Sequence, residues 1–220
     1  FVFGGAIPIP GGGDYTVFLM PGIFAQTIVF ASATTAIGMT DDVNKGIIDR
    51  FRSLPMSRSA VLTGRTFSDV IYNAGILVVL MATGFAIGWR VESLPALAAG
   101  FALLLFFAYG MAWLGVWMGL NVPTVEVAQQ VIFTFLFPLT FVSNVFVPGS
   151  TLPDWLQPIA EWNPTSTLTA ALRELWGNPN PTDSGSLAVT EPLLVTVGWV
   201  ILIIAVFAPL GVRRYRSMSR

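Results

Sequence analysis

Five stretches of this chain are long and almost free of charge: residues 15–39, 66–89, 95–120, 127–147 and 192–212. A helix that crosses a bilayer needs about 20 mostly apolar residues. Four of the five stretches carry no charge, and the second holds one acid, Asp69, near its start. A soluble domain keeps about 25% charged residues to face water. This chain has 10% charged and 54% hydrophobic residues, and its mean hydropathy is +0.72. It cannot clothe a water-facing surface, so lipid is its natural solvent. The expected fold is an all-α, polytopic transmembrane bundle forming one domain over residues 1–220.

The basic residues set an orientation. Lys45, Arg50, Arg52, Arg58 and Arg65 fall between the first two stretches, and Arg213, Arg214, Arg216 and Arg220 follow the last. Lys and Arg concentrate in cytoplasmic loops. Placing the first group in the cytoplasm places the second there too, leaving only Arg90 and Arg173 outside. The first stretch then runs from outside to inside. Phe1-Val2-Phe3 reads as the outer end of an earlier span, giving six spans and two cytoplasmic termini. Tyr15, Trp89, Trp155, Trp162 and Trp176 fall at outer ends or in the outer loop, and Trp117 and Tyr215 near inner ends, as interfacial rings would. Gly84-x-x-x-Gly88 and Gly115-x-x-x-Gly119 would permit close helix approach.

Several chemistries are closed. There is no Cys and no His, which removes thiolate sites, Ser-His hydrolysis and the HExxH zinc motif. Net charge is −1, so nothing points to nucleic acid. No G-x-x-x-x-G-K-[ST] occurs; Gly11-Gly12-Gly13 lacks the lysine of a phosphate-binding loop. No catalytic residue and no metal site are expected, and the chain is not expected to be an enzyme.

The loop over residues 40–65 is the most informative segment. Val43, Ile47, Phe51 and Leu54 fall at i, i+4, i+8 and i+11, one face of a helix. Asp42, Lys45, Asp49 and Arg52 take the other faces. Asp41 or Asp42 suits the positive end of the helix dipole, and Pro55 stops the helix. The pattern fits a helix lying on lipid, a docking surface for a soluble partner, or both.

The run Asp42-x-x-x-Gly46-x-x-x-Arg50-x-Arg52-Ser53-Leu54-Pro55-x-Ser57-Arg58, with Gly64-Arg65 and Asp69, resembles the signature loop of type 2 ABC exporter permeases, most of all the daunorubicin-resistance branch. Two further blocks agree: Glu126-x-x-Gln129 with Pro138, Phe141-x-Ser143 and Phe146-x-Pro148; and Leu152-Pro153-x-Trp155-Leu156 with Asn163-Pro164 and Leu172-Arg173. Asn144 departs from the family's more usual Gly. The resemblance covers roughly residues 15–212. It implies that the loop is a coupling helix seated in a cytoplasmic ABC ATPase subunit, with Asp42, Gly46, Ile47, Arg50, Phe51, Leu54, Pro55 and Arg58 as coupling residues. It implies two permease chains, alike or different, with two ATPase chains. ATP and Mg would be bound by the ATPase partner, not by this chain. The site would be a bacterial plasma membrane, and the cargo a lipophilic or amphipathic drug, antibiotic or lipid. It also implies that the outer loop's short helices fold back into the outer leaflet.

Polar groups within spans invite a functional reading. Asp69, four residues after Arg65, fits a local i, i+4 ion pair. Gln129 and Gln130 either bond neighbouring helices or line a cavity. Phe133, Phe137 and Phe141 form a stripe that is either packing or an apolar wall for cargo. Pro138 removes one backbone bond and would kink its span. Residues 148–191 hold two expected short helices, 155–162 and 166–176, that either gate or cap the outer side. The rival function is a channel or carrier that works without an ATPase. The shortage of charges inside spans argues against ion conduction.

Overall fold

The computed structural model describes residues 15–47, 58–146, 152–180 and 184–218. These form eight helices: α1 Tyr15–Asn44, α2 Arg58–Ala86, α3 Leu94–Gly119, α4 Val125–Phe141, α5 Gln157–Trp162, α6 Pro164–Trp176, α7 Leu187–Thr190 and α8 Pro192–Ser217. Among the described residues there is no strand. The fold is all-α, as the composition requires.

Helices α1, α2, α3 and α8 are long and apolar enough to cross a membrane. At 1.5 Å per residue, the 30 residues of α1 extend about 45 Å, beyond a hydrocarbon core of about 30 Å. Two boundaries expected from hydropathy therefore move. Helix α1 continues through residues 40–44, and α2 begins at Arg58 rather than Thr66, because hydropathy marks where the apolar run ends while the backbone ladder continues through polar residues. In the other direction, α4 stops at Phe141 instead of reaching residue 147. Its 17 residues extend about 25 Å. The residues just beyond it form turns, with the Val142 N–H on the Pro138 carbonyl at 2.9 Å.

The contacts divide the chain into two units built from interleaved segments. The first holds residues 1–27, 75–104 and 137–199. Its core is aromatic. Phe24, Trp89 and Trp176 meet edge to face, with centroids 5.0–5.6 Å apart. Both indoles are fully buried, so each N–H needs a partner. Trp89 Nε1 donates to Asn178 Oδ1 at 2.9 Å, and Trp176 Nε1 donates to the Ala96 carbonyl at 3.0 Å. Trp89 and Trp176 are thus core residues, which corrects their reading as rings at the lipid interface. Gly100 makes room for the Trp176 indole; any Cβ there would overlap it.

Asn163 joins α5 to α6 in extended backbone, as the Asn-Pro pair suggested. Its Oδ1 accepts from the Thr165 N–H at 2.8 Å, capping α6. Its Nδ2 donates to the carbonyls of Leu139 and Val142 at 2.6 and 3.3 Å. A helix end leaves its last carbonyls unpaired, so this one side chain serves the start of α6 and the end of α4.

The second unit holds residues 28–74, 105–136 and 200–220. Met39, Leu62, Trp113, Val116, Leu120 and Tyr215 are its buried cluster. Gly115 and Gly119 bring α3 against α1: a Cβ on either would lie 2.5 Å from the carbonyl oxygen of Ser32 or of Ala36. Thr40 Oγ1 donates across the same contact to the Gly119 carbonyl at 3.1 Å. This is the small-residue packing that membrane helices use in place of a hydrophobic driving force. The other glycine pair splits in role. A Cβ on Gly84 would meet Met20, whereas Gly88 has nothing within 4 Å and a φ of +104°, so it serves the turn after α2.

Candidate functional site

The resemblance directs attention to the loop between α1 and α2, whose roots lie in the second unit. Helix α1 ends by a mechanism the sequence carries. The Gly46 N–H donates to the Val43 carbonyl at 3.1 Å, and Gly46 adopts a φ of +68°. Such left-handed glycines end helices because they pay no Cβ penalty. The amphipathic face is therefore interrupted. Val43 belongs to α1 and packs on the buried cluster, while Ile47 lies beyond the turn. The sequence reading made these residues one helix; the positive φ between them rules that out.

The two aspartates also change meaning. They sit in the last turn of α1, not the first turn of a new helix. A carboxylate is unfavourable there, because the helix C-terminus carries partial negative charge. Each has a cation against it. Lys45 Nζ lies 2.7 Å from Asp41 Oδ2, and the hydrogen bond it donates to that carboxylate raises the lysine above its ordinary range. Asp42 Oδ2 accepts from Arg65 Nη1 at 2.5 Å. Arg65 Nε also lies 3.4 Å from Asp69 Oδ1, and Asp69 Oδ2 accepts from Thr35 Oγ1 at 2.8 Å. The expected Arg65–Asp69 pair is present but is part of a larger clamp. Thr35 and Asp42 on α1 hold Asp69 and Arg65 on α2, at the roots of the loop. All three charged side chains are 20–30% exposed. Gly38 is required beside them, since a Cβ there would overlap Arg65 Nη2.

Of the expected coupling residues, Asp42, Gly46 and Ile47 are placed, and Arg58 is the first residue of α2. Arg50, Phe51, Leu54 and Pro55 lie outside the described residues. Sequence reasoning missed Arg65 as the hub. A basic residue four before an acid was a visible signal, but the partner 23 residues back was not.

The α4 residues expected along a cargo path are exposed within this chain. In the second unit Gln129 and Gln130 are exposed, and Phe133 is half-exposed, with its ring centroid 6.0 Å from that of Phe30. In the first unit Phe137 and Phe141 are stacked at 4.2 Å and both are more than half exposed. Along α4 the buried positions are Ala128, Ile132, Leu136 and Thr140, an i, i+4 row. The Phe stripe lies off that row, on the more exposed side of the helix.

One residue was misplaced by the sequence reading. Arg173 was counted among basic residues of the outer loop, yet it is fully buried in the first unit. Its Nε donates to the Phe18 carbonyl at 3.2 Å. Its Nη2 donates to the carbonyls of Phe18 and Asn144, each at 3.1 Å. The guanidinium carbon sits 3.7 Å from the centre of the Phe18 ring. Burial pushes the guanidinium down to about 9, which still leaves it charged at neutral pH. The cation is held by carbonyl dipoles and a ring face, and it ties α1, the turn after α4, and α6 together.

The family model described as ABC-2 type transporter matches residues 1–175. The daunorubicin resistance ABC transporter permease protein of Streptomyces coeruleorubidus is 32% identical over 220 residues, which is 100% of this chain and 75% of that one. A relative from Mycobacterium tuberculosis, named probable doxorubicin resistance ABC transporter permease protein, is 24% identical over 207 residues, 89% of this chain and 69% of that one. With its match to the family model, its identity to a permease over its whole length and its four membrane-length helices, the chain belongs to the ABC-2 type transporter family as a membrane permease.

Proposed function

We propose that this permease exports a lipophilic or amphipathic compound across the plasma membrane, driven by a separate cytoplasmic ABC ATPase that binds the ATP and Mg. The observation that carries this reading is the likeness, over 100% of this chain and 75% of the relative, to a permease named for daunorubicin resistance. The last turns of α8 and the loop after α1 face the cytoplasm, in keeping with their basic residues. A second permease chain completes the transporter, and membrane lipid surrounds it. The exposed side of α4, with Gln129, Gln130, Phe133, Phe137 and Phe141, contacts cargo or the second chain.

The clamp supports a coupling role for the loop. A push on the loop residues Gly46, Ile47, Arg50, Phe51, Leu54 and Pro55 reaches two long helices at once, because Asp42 and Arg65 join them at the roots of the loop. Closure of an ATPase pair would then move the bundle between access states as a unit. The test is reconstitution of the permease with its ATPase in vesicles loaded with an anthracycline. ATP-dependent outward flux is expected, with no flux from the permease alone. Flux without the ATPase would establish the rival channel or carrier reading. Substituting Arg50 should leave basal ATP hydrolysis intact and abolish its link to flux; unchanged coupling removes the loop from this role.

A further inference from the structure

In the second unit, a cavity of about 260 Å³ opens where α1 ends, where α3 leads into α4, and beside the last turns of α8. Its apolar walls come from Val43, Leu120, Val122 and Met218. Its polar lining is two amides, Asn44 and Asn121, and one full charge, Arg214. Among the described residues, no carboxylate lines it. The Arg214 Nε donates to the Leu120 carbonyl at 3.2 Å, which fixes the guanidinium at the cavity rim. Arg213 and Arg216 are exposed on the same terminal turns of α8. The acids at the end of α1 are engaged elsewhere, Asp41 by Lys45 and Asp42 by Arg65.

We propose that this cavity binds the headgroup of an anionic phospholipid. The volume corresponds to roughly eight water molecules, enough for a phosphate and the glycerol joined to it. Arg214 supplies a planar donor fork suited to phosphate oxygens, and the amides supply further polar contacts. The apolar walls fit the start of the acyl chains, which a free inorganic anion would leave exposed to no purpose. Basic pockets between helices at the cytoplasmic surface take acidic headgroups, each Arg or Lys near the surface adding about 1 kcal/mol of attraction. The inference rests on the orientation proposed above, in which these helix ends meet the inner leaflet. It gives the basic C-terminal turns a ligand of their own, independent of the ATPase.

The test is retention of phosphatidylglycerol against phosphatidylcholine by the purified, delipidated permease, read by native mass spectrometry from mixed micelles. The wild type should retain phosphatidylglycerol roughly five- to tenfold better. Arg214→Gln should bring the ratio close to one, and Arg213→Gln should leave most of it. Val122→Phe, which fills the cavity and changes no charge, should also abolish the preference and covers the case in which Arg214→Gln fails to fold. An unchanged ratio in both Arg214→Gln and Val122→Phe overturns the proposal. So does equal loss in Arg213→Gln, which would mean diffuse surface charge, or displacement of the lipid by millimolar inorganic phosphate. Protease accessibility of a tag on the C-terminal tail reports the orientation separately. A tail on the outer side refutes the orientation whatever the lipid ratio, and a cytoplasmic tail without lipid preference refutes only the lipid site.

Discussion

Gly38→Ala is the sharpest probe of the clamp at the loop roots, because its sign depends on Arg65. Alanine is favoured over glycine in a helix interior by about 1 kcal/mol, and Gly38 lies well inside α1. Taken alone, that predicts stabilisation. The new Cβ would overlap Arg65 Nη2, however, and displace the guanidinium. Arg65 would then lose its 2.5 Å bond to Asp42 and its 3.4 Å pair with Asp69. Charged hydrogen bonds contribute about 1.5–3 kcal/mol when buried and exposed ion pairs about 0–1. At 20–30% exposure the loss is about 2 kcal/mol. The net effect in the wild type is destabilisation by about 1 kcal/mol. In an Arg65→Met background the guanidinium is already gone, and the same substitution should stabilise by up to about 1 kcal/mol. Unfolding in detergent, followed by tryptophan fluorescence for all four proteins, measures the cycle. The coupling energy should be about 2 kcal/mol. If Gly38→Ala has the same sign and size in both backgrounds, Arg65 does not occupy the space beside Gly38 and the clamp is wrong.

The other expectations are simpler. Gly119→Ala places a Cβ 2.5 Å from the Ala36 carbonyl and should destabilise by about 1–3 kcal/mol, whereas Gly64→Ala, which meets nothing within 4 Å, should gain up to about 1 kcal/mol; thermal unfolding of both tests the α1–α3 contact. Arg173→Met deprives the Phe18 and Asn144 carbonyls of their donor and should cost about 3 kcal/mol or more, with Arg173→Lys between it and the wild type; equal stability of Arg173→Met would show that the buried cation is not a strut. Asn163→Ala removes the α6 cap and the donor to the end of α4, and should cost about 2 kcal/mol in the same assay. Phe137→Ala and Phe141→Ala should change stability little, since both rings are more than half exposed, and should raise the anthracycline concentration needed for half-maximal flux if these rings meet cargo.

Which parts were legible follows from the range of the signal each leaves in the sequence. The membrane helices are legible because lipid imposes one rule on every residue of a span, so the mean over about 20 positions carries the message. Helix ends obey local chemistry, and there the reading divides. The Asn163-Pro164 turn was found because its cap and its proline are adjacent. Gly46 stood in plain view inside an amphipathic pattern, yet periodicity treats a glycine as a neutral position, while its left-handed backbone ends the helix. The end of α4 at Phe141 was missed for a different reason. Apolar residues continue to Val147, and what takes over its last carbonyls is a side chain more than 20 residues downstream.

The charged residues show the same division more severely, and they bear on function. Counting Lys and Arg by loop gives an orientation but assumes that every basic residue faces water. Arg173 breaks the assumption: burial and carbonyl partners make it a strut, and the outer count falls to Arg90 alone, which strengthens the asymmetry that the orientation rests on. Arg65 and Arg214 do face partial solvent, yet each is fixed by a contact far away in sequence, Asp42 in one case and the Leu120 carbonyl in the other. The basic residues on the side proposed to be cytoplasmic thus divide by partner. Arg65 fastens the roots of the loop, Arg214 stands over a cavity, and in the proposed function Arg50 and Arg58 are left to the ATPase. A transporter whose energy arrives from another polypeptide needs that separation: the residues that hold the two helices together must not be the ones the ATPase engages, or each stroke would loosen the clamp that transmits it.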